Sequence, residues 1–317
     1  MSVLNRQVKS SVYFLIMLAS IWSLPLLAKD YFDGWLGFAG NFDVAYRKTQ
    51  FFESEHNVAV GIWDSRIELW LPPHKKDESG LSWGPYFRMA GISSSSKEAW
   101  ENGWLALPGI GFQVYPFSLA QFRKDDSLVG KVFGPLRLMF EYNWLNYWGS
   151  ENSWRPTHQI RTGAEYWRTH NVNKLDEFWW GEIWGGLHWV SANEFDPNYD
   201  SLTFAASIRS GLRLPIAATK NDLISMVSPY VALESSVNKN STYYWENRLL
   251  IGGGLRLTPP LEEMGMPKWF NRLVVYAEYD HVVAYYQDTA YSIVPNYDVR
   301  VGVNFSLGDW YPDFNQH

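Results

Sequence analysis

The sequence predicts a transmembrane antiparallel up-and-down β-barrel of about 12 strands, and three observations carry that reading. The first is a repeated four-residue pattern: Ile160-Arg161-Thr162-Gly163, Ile208-Arg209-Ser210-Gly211 and Val299-Arg300-Val301-Gly302, with Ile251-Gly252-Gly253-Gly254 replacing the Arg by Gly. The second is that the copies run on as apolar/polar alternation, as in Leu255-Arg256-Leu257 and Val303-Asn304-Phe305, and are separated by segments such as Phe140-Glu141-Tyr142 and Ala277-Glu278-Tyr279. The third is that no run of 18 apolar residues follows the N-terminal one, although 17% of the chain is aromatic, including 18 Trp. An apolar face backed by a charged face on every strand belongs in a membrane barrel, whose aromatic girdles sit at the two interfaces.

Residues 1–28 read as a signal peptide. Arg6 and Lys9 supply the positive start, Val12 to Trp22 the apolar run, and Leu26-Leu27-Ala28 the cleavage end. Residues 29–317 then form one barrel domain. From a chain with 27 Lys+Arg and 33 Asp+Glu, cleavage removes those two basic residues and no acidic one, leaving a formal charge of −8. That balance argues against nucleic acid as a partner. With no Cys there is no disulfide and no thiolate metal site, so stability must come from the sheet.

Twelve strands follow in order: 34–48, 57–71, 82–92, 103–116, 133–146, 157–169, 177–191, 202–215, 228–238, 245–258, 271–286 and 296–308. Each is long enough to span, since a membrane strand needs roughly 9–11 residues. In 133–146, Leu136, Leu138, Phe140, Tyr142 and Trp144 share one face against Arg137, Glu141 and Asn143. In 296–308, Val299, Val301, Val303, Phe305 and Leu307 oppose Asp298, Arg300, Gly302, Asn304 and Ser306. In 57–71 the apolar parity switches from Val58, Val60 and Ile62 to Ile67, Leu69 and Leu71, which predicts a β-bulge near Trp63–Asp64. Pro-containing connections such as Leu71-Pro72-Pro73 and Thr258-Pro259-Pro260 mark one rim, because Pro cannot join the ladder. Short helices are expected at that rim in 117–131 and 261–270. An even strand count places both termini on the periplasmic side.

Period 2 assigns the expected lumen lining: Arg137, Glu141, Arg161, Glu165, Glu182, Arg209, Arg213, Glu234, Arg256, Glu278, Asp280 and Arg300. Such an array either guides a polar polymer or anionic solute, or braces the wall by pairing Arg on one strand with Glu on its neighbour. The Gly two residues after each repeated Arg makes room for a neighbouring side chain or a bend. Trp180 and Trp184 share the face of Glu182 and are candidates for stacking on sugar rings. Twelve strands about 4.8 Å apart and tilted about 40° enclose a backbone diameter of about 24 Å, leaving about 12 Å of open width. No cofactor is implied. His158 and His281 fall on the outward parity without a partnered Ser and carboxylate, and no metal-ligand spacing occurs, so no catalysis is expected.

Strands continuing Arg-x-Gly into alternating apolar residues, as in Ile208 to Leu214 and Val299 to Phe305, resemble the barrels of bacterial exopolysaccharide-export porins and of the phage-adsorption outer-membrane protein. Pro229-Tyr230-Val231 leading to Arg248-Leu249-Leu250-Ile251-Gly252-Gly253-Gly254 shares in that likeness. It extends over residues 133–308. The resemblance implies export or surface assembly of a polysaccharide from the bacterial outer membrane. Partners would be outer-membrane lipid, a polysaccharide and a separate periplasmic scaffold protein, since this chain lacks the helical-repeat region that precedes such barrels. Two alternatives stand beside it: a small-solute porin or channel, and a receptor or structural barrel with a closed lumen.

Overall fold

In a computed structural model, residues 36–51, 54–71, 82–94, 103–118, 128–149, 154–172, 177–191, 200–213, 227–239, 247–259, 261, 264–266, 270–285 and 297–308 are described. The signal peptide expected in residues 1–28 lies outside them. Among the described residues twelve strands form: β1 (Leu36–Phe51), β2 (Ser54–Leu69), β3 (Ser82–Ser94), β4 (Gly103–Tyr115), β5 (Leu136–Gly149), β6 (Trp154–His170), β7 (Trp179–Val190), β8 (Ser201–Leu212), β9 (Val227–Asn238), β10 (Arg248–Leu257), β11 (Phe270–Tyr285) and β12 (Tyr297–Gly308). Each runs antiparallel to its sequence neighbours, and β1 pairs with β12 to close the barrel. Closure removes the sheet edges and pairs the backbone within the wall, which is what makes a β-structure tolerable in hydrocarbon. Across the seam, Phe42 stacks on Phe305 with centroids 4.8 Å apart and planes 7° from parallel.

The alternation read from the sequence governs which side chains meet the outside. On β5, Leu138, Phe140, Tyr142 and Trp144 are exposed on the outer surface, while Arg137, Met139, Glu141 and Asn143 are buried. Outward Phe140 is 52% exposed and inward Glu141 0%. On β12, Val301 and Val303 are exposed against buried Asp298 and Ser306, and β8 and β10 follow the same rule. A protein that turns its large apolar side chains out and its ion pairs in is built for lipid outside and a polar interior.

Two expectations about local structure are corrected. No bulge interrupts β2 near Trp63–Asp64: the β1/β2 register runs unbroken from Phe51↔Ser54 to Leu36↔Leu69, and the β2/β3 register from Val60↔Ser94 to Glu68↔Tyr86. Ile62 therefore stays opposite Asp43, whose carboxylate accepts from Tyr276 inside the barrel, and the parity change is absorbed by placing aliphatic residues on the lumen face. Register shifts occur instead between Leu249 and Leu250 in β10/β11, and between Phe270 and Arg272 in β11/β12. At the rim, one turn of 3-10 helix (Pro116–Ser118) and a short helix α1 (Leu128–Phe133) lie in or beside the expected 117–131. In 261–270 the described residues make turns, with Gly265 at φ 74, and Phe270 already begins β11.

Candidate functional site: a braced, charged lumen

Room for the interior comes from glycine. Gly111, Gly211, Gly254 and Gly302 each stand directly opposite an inward aromatic on the next strand: Tyr86, Trp180, Tyr230 and Tyr276. A Cβ on Gly211 would lie 2.6 Å from the Trp180 indole, and one on Gly254 or Gly302 would lie 2.9 Å from the Tyr230 or Tyr276 hydroxyl. The rings can therefore lie flat along the wall instead of projecting into the lumen. Trp180 and Tyr230 meet over Gly211 with centroids 5.7 Å apart.

On one half of the wall, formed by β2 to β7, Glu141 is the hub. It accepts from Tyr86 Oη and Arg88 Nη1 at 2.8 Å each and from Asn143 Nδ2 at 2.7 Å, and Arg161 lies 3.8 Å away. Arg88 also reaches both oxygens of Asp64 at 3.0 Å. Glu165 pairs with Arg137 and, at 2.8 Å, with Arg161, and is 3.7 Å from Arg66 and 3.1 Å from His188. On the other half, Glu278 is the hub: Arg209 Nε and Tyr230 Oη donate at 2.8 Å, and Arg300 Nη1 at 3.3 Å. Glu234 pairs with Arg209 and, at 3.0 Å, with Arg300. Arg300 continues to Asp298 at 2.9 Å and lies 3.5 Å from Asp280, whose side chain is wholly buried. Arg47 of β1 also pairs with Asp298.

A third group sits nearer the rim that carries the start of β1 and the end of β12. Glu182 lies 3.0 Å from Arg272 and 3.8 Å from Arg256. The Arg256 guanidinium stacks 4.3 Å over the Trp180 ring, and its Nε donates to Thr258.

These pairs do more than join neighbouring strands. Arg209–Glu278, Arg300–Glu234 and Arg256–Glu182 span three strand positions, and Arg272–Glu182 and Arg66–Glu165 span four. Around a circle of about 24 Å diameter, strands four positions apart would be about 21 Å from each other, beyond the reach of one Arg and one Glu. The wall is therefore drawn in from that circle where these pairs form, and ion pairs cross the interior. Within the bore lies a cavity of about 510 Å³, lined by residues that include Asp43, Arg88, Arg137, Trp167, Trp184 and Arg300.

Two residues singled out from sequence have other duties. Arg213 follows the last residue of β8 and donates to the backbone carbonyls of Asn171, Val172 and Glu177, clamping the turn between β6 and β7. Trp180 is 1% exposed, with Arg256 over its ring and its Nε1 on Ser228, so it offers no face to a sugar. Trp184 remains 37% exposed on the cavity wall. Sequence reading passed over Arg47, Asp64, Arg66, Glu68, Arg88 and Arg272 as lining residues. For β2 the signal was present, because Asp64, Arg66 and Glu68 alternate strictly with Ser65, Ile67 and Leu69.

No protein family and no curated protein matches the sequence. Among solved structures, the fold is similar to the COG4313 outer-membrane channel from Pseudomonas putida F1, at 10% identity and a TM-score of 0.42, covering 88% of this chain and 98% of that one. It is also similar to the translocator domain of the autotransporter NalP from Neisseria meningitidis, at 11% identity and 0.39, covering 94% and 97%. The NanC porin is a third, at 9% identity and 0.35, covering 84% and 98%. Likeness at this level carries no argument about what this barrel does.

Proposed function

We propose that the chain is a narrow outer-membrane channel for small polar solutes. The observation that carries this reading is the cavity of about 510 Å³ inside a closed wall, lined by residues from both charged halves while the outer face is apolar. The even strand number, with the start of β1 and the end of β12 on one rim, suits a bacterial outer-membrane barrel. A cavity of this size falls in the range of small-molecule sites. Export of a polysaccharide finds no support here, because the pairs from β7 to β11 and from β2 to β6 cross the path that a sugar chain would need.

The test is conductance of the purified full chain in planar bilayers, combined with swelling of liposomes in small neutral and charged sugars. Small, reproducible current steps and swelling limited to small solutes are expected. A barrel that folds into bilayers yet gives neither current nor swelling would overturn the channel reading in favour of a closed structural barrel.

A further inference from the structure

The cavity has a basic corner. Two of its arginines share one acid: Glu182 is the one carboxylate that the described residues place within ion-pair distance of both Arg256 and Arg272. Arg256 is 4% exposed at the side chain and its Nη2 has no hydrogen-bond partner. Arg272 Nε is likewise buried and unpartnered. A guanidinium donor shut away from water without an acceptor is costly, so an acceptor arriving through the cavity gains more there than on an open surface. The group is also preset: Trp180 stacks beneath Arg256 and Thr258 fixes its Nε, so little side-chain freedom remains to be lost on binding.

Next to the two cations stands an aromatic surface. Trp184 is two residues from Glu182 on the same face of β7, about 7 Å along the strand, and pairs in register with Trp167 of β6. Both indoles line the cavity, which falls in the size range of small-molecule sites.

We infer that this corner binds the acidic group of a small planar organic anion, with Arg256 and Arg272 on the carboxylate and Trp184 against the ring; aromatic carboxylates are the class that fits. Planar guanidinium forks match a carboxylate, and an indole face suits a flat apolar body. Binding at this corner deepens the channel reading and rests on it for the solute's route, but the site itself is measurable without transport.

The experiment is calorimetric titration of the full chain in detergent with benzoate and, as the neutral control, benzyl alcohol. Benzoate binds and benzyl alcohol does not. Arg256→Gln and Arg272→Gln each weaken benzoate by about tenfold or more, the loss of one charge-assisted contact. Glu182→Gln, which releases both cations from their competing carboxylate, tightens benzoate several-fold, a change that loss of packing would not produce. Heat-modifiable gel migration confirms that each variant is folded, and Glu182→Gln and Arg272→Gln stand as the test should Arg256→Gln fail to fold. Absence of benzoate binding, equal binding of benzyl alcohol, or indifference to Arg272→Gln and Glu182→Gln overturns the inference. A protein that binds benzoate but carries no current overturns the channel reading and leaves this site in place; one that conducts without binding benzoate does the reverse.

Discussion

Replacing Arg209 by Ala removes the guanidinium that ties β8 to β9 and β11. Its Nε and Nη2 reach the two Glu278 oxygens at 2.8 and 3.1 Å, Nη1 reaches Ser207 at 2.7 Å, and Nη2 also pairs with Glu234. Glu278 is almost completely buried, so deletion leaves a carboxylate that cannot turn to bulk water. Breaking one side of a buried pair costs about 3–5 kcal/mol. Here Arg300 stays 3.3 Å from Glu278 and 3.0 Å from Glu234, and the side chains of Arg209 and Glu234 are about a fifth exposed, so a loss of about 2–4 kcal/mol is expected. The assay is reversible urea unfolding of the barrel in lipid vesicles, followed by Trp fluorescence and by heat-modifiable migration. The double variant Arg209→Ala/Glu278→Gln should be less destabilised than the sum of the two singles, because the stranded charge is gone. If Arg209→Ala unfolds within about 0.5 kcal/mol of the parent, or if the two changes simply add, the lumen pairs do not brace the wall.

Gly254→Val should prevent folding or cost more than about 3 kcal/mol, since its Cβ would meet both the Tyr230 ring and the Ala277 carbonyl, whereas Gly61→Ala, with nothing within 4 Å, should be tolerated. Recovery of folded protein on a gel separates the two, and equal recovery would mean that the glycine line makes no room. Phe140→Arg places a charge on the outer face of β5 and should cost about 2–4 kcal/mol in a bilayer, read by vesicle unfolding. No penalty there would contradict a lipid-facing position for Phe140.

Strand order and facing were legible because period 2 is a local property. On β5 or β12 each side chain alone reports its face, and no knowledge of distant strands is needed. The pairing of charges was not legible in the same way. Parity turns Arg209 inward but cannot say that it reaches Glu278 three strands away and not Glu182, its direct register partner. That choice depends on how far the wall is drawn in, which depends on every strand at once. Parity also misled at the ends of strands. Arg213 keeps the inward phase of β8 but lies past its last residue, where its guanidinium donates to the turn carbonyls of Asn171, Val172 and Glu177. In β2 the apolar Val60 and Ile62 imply a bulge only if every apolar residue faces lipid; the unbroken register shows that a lumen wall accepts aliphatic positions too.

Glycines on the lumen face, two of them in the repeat that first marked this chain as a barrel, also help to satisfy its interior charges. Arg-x-Gly puts a cation and a gap on the same face, two residues apart. At Gly302 of that repeat, at Gly254 of the copy without Arg, and at Gly111 outside it, the gap admits a tyrosine ring from the next strand whose hydroxyl lands on a carboxylate: Tyr276 on Asp43, Tyr230 on Glu278 and Tyr86 on Glu141, each at 2.8 Å. These acids lie on β5, β11 and β1, each two strands from the donor, so the tyrosine spans the glycine-bearing strand between them. A hydrogen bond to a charged acceptor is worth about 1.5–3 kcal/mol, so Tyr86→Phe and Tyr230→Phe should each lower the unfolding free energy by roughly that amount while keeping the ring over its glycine. Tyr46→Phe, on the exposed outer face of β1, should change little. Equal losses at all three positions would mean that the hydroxyls near Glu141 and Glu278 contribute no more than any Tyr in the barrel, and the glycines would then serve shape alone.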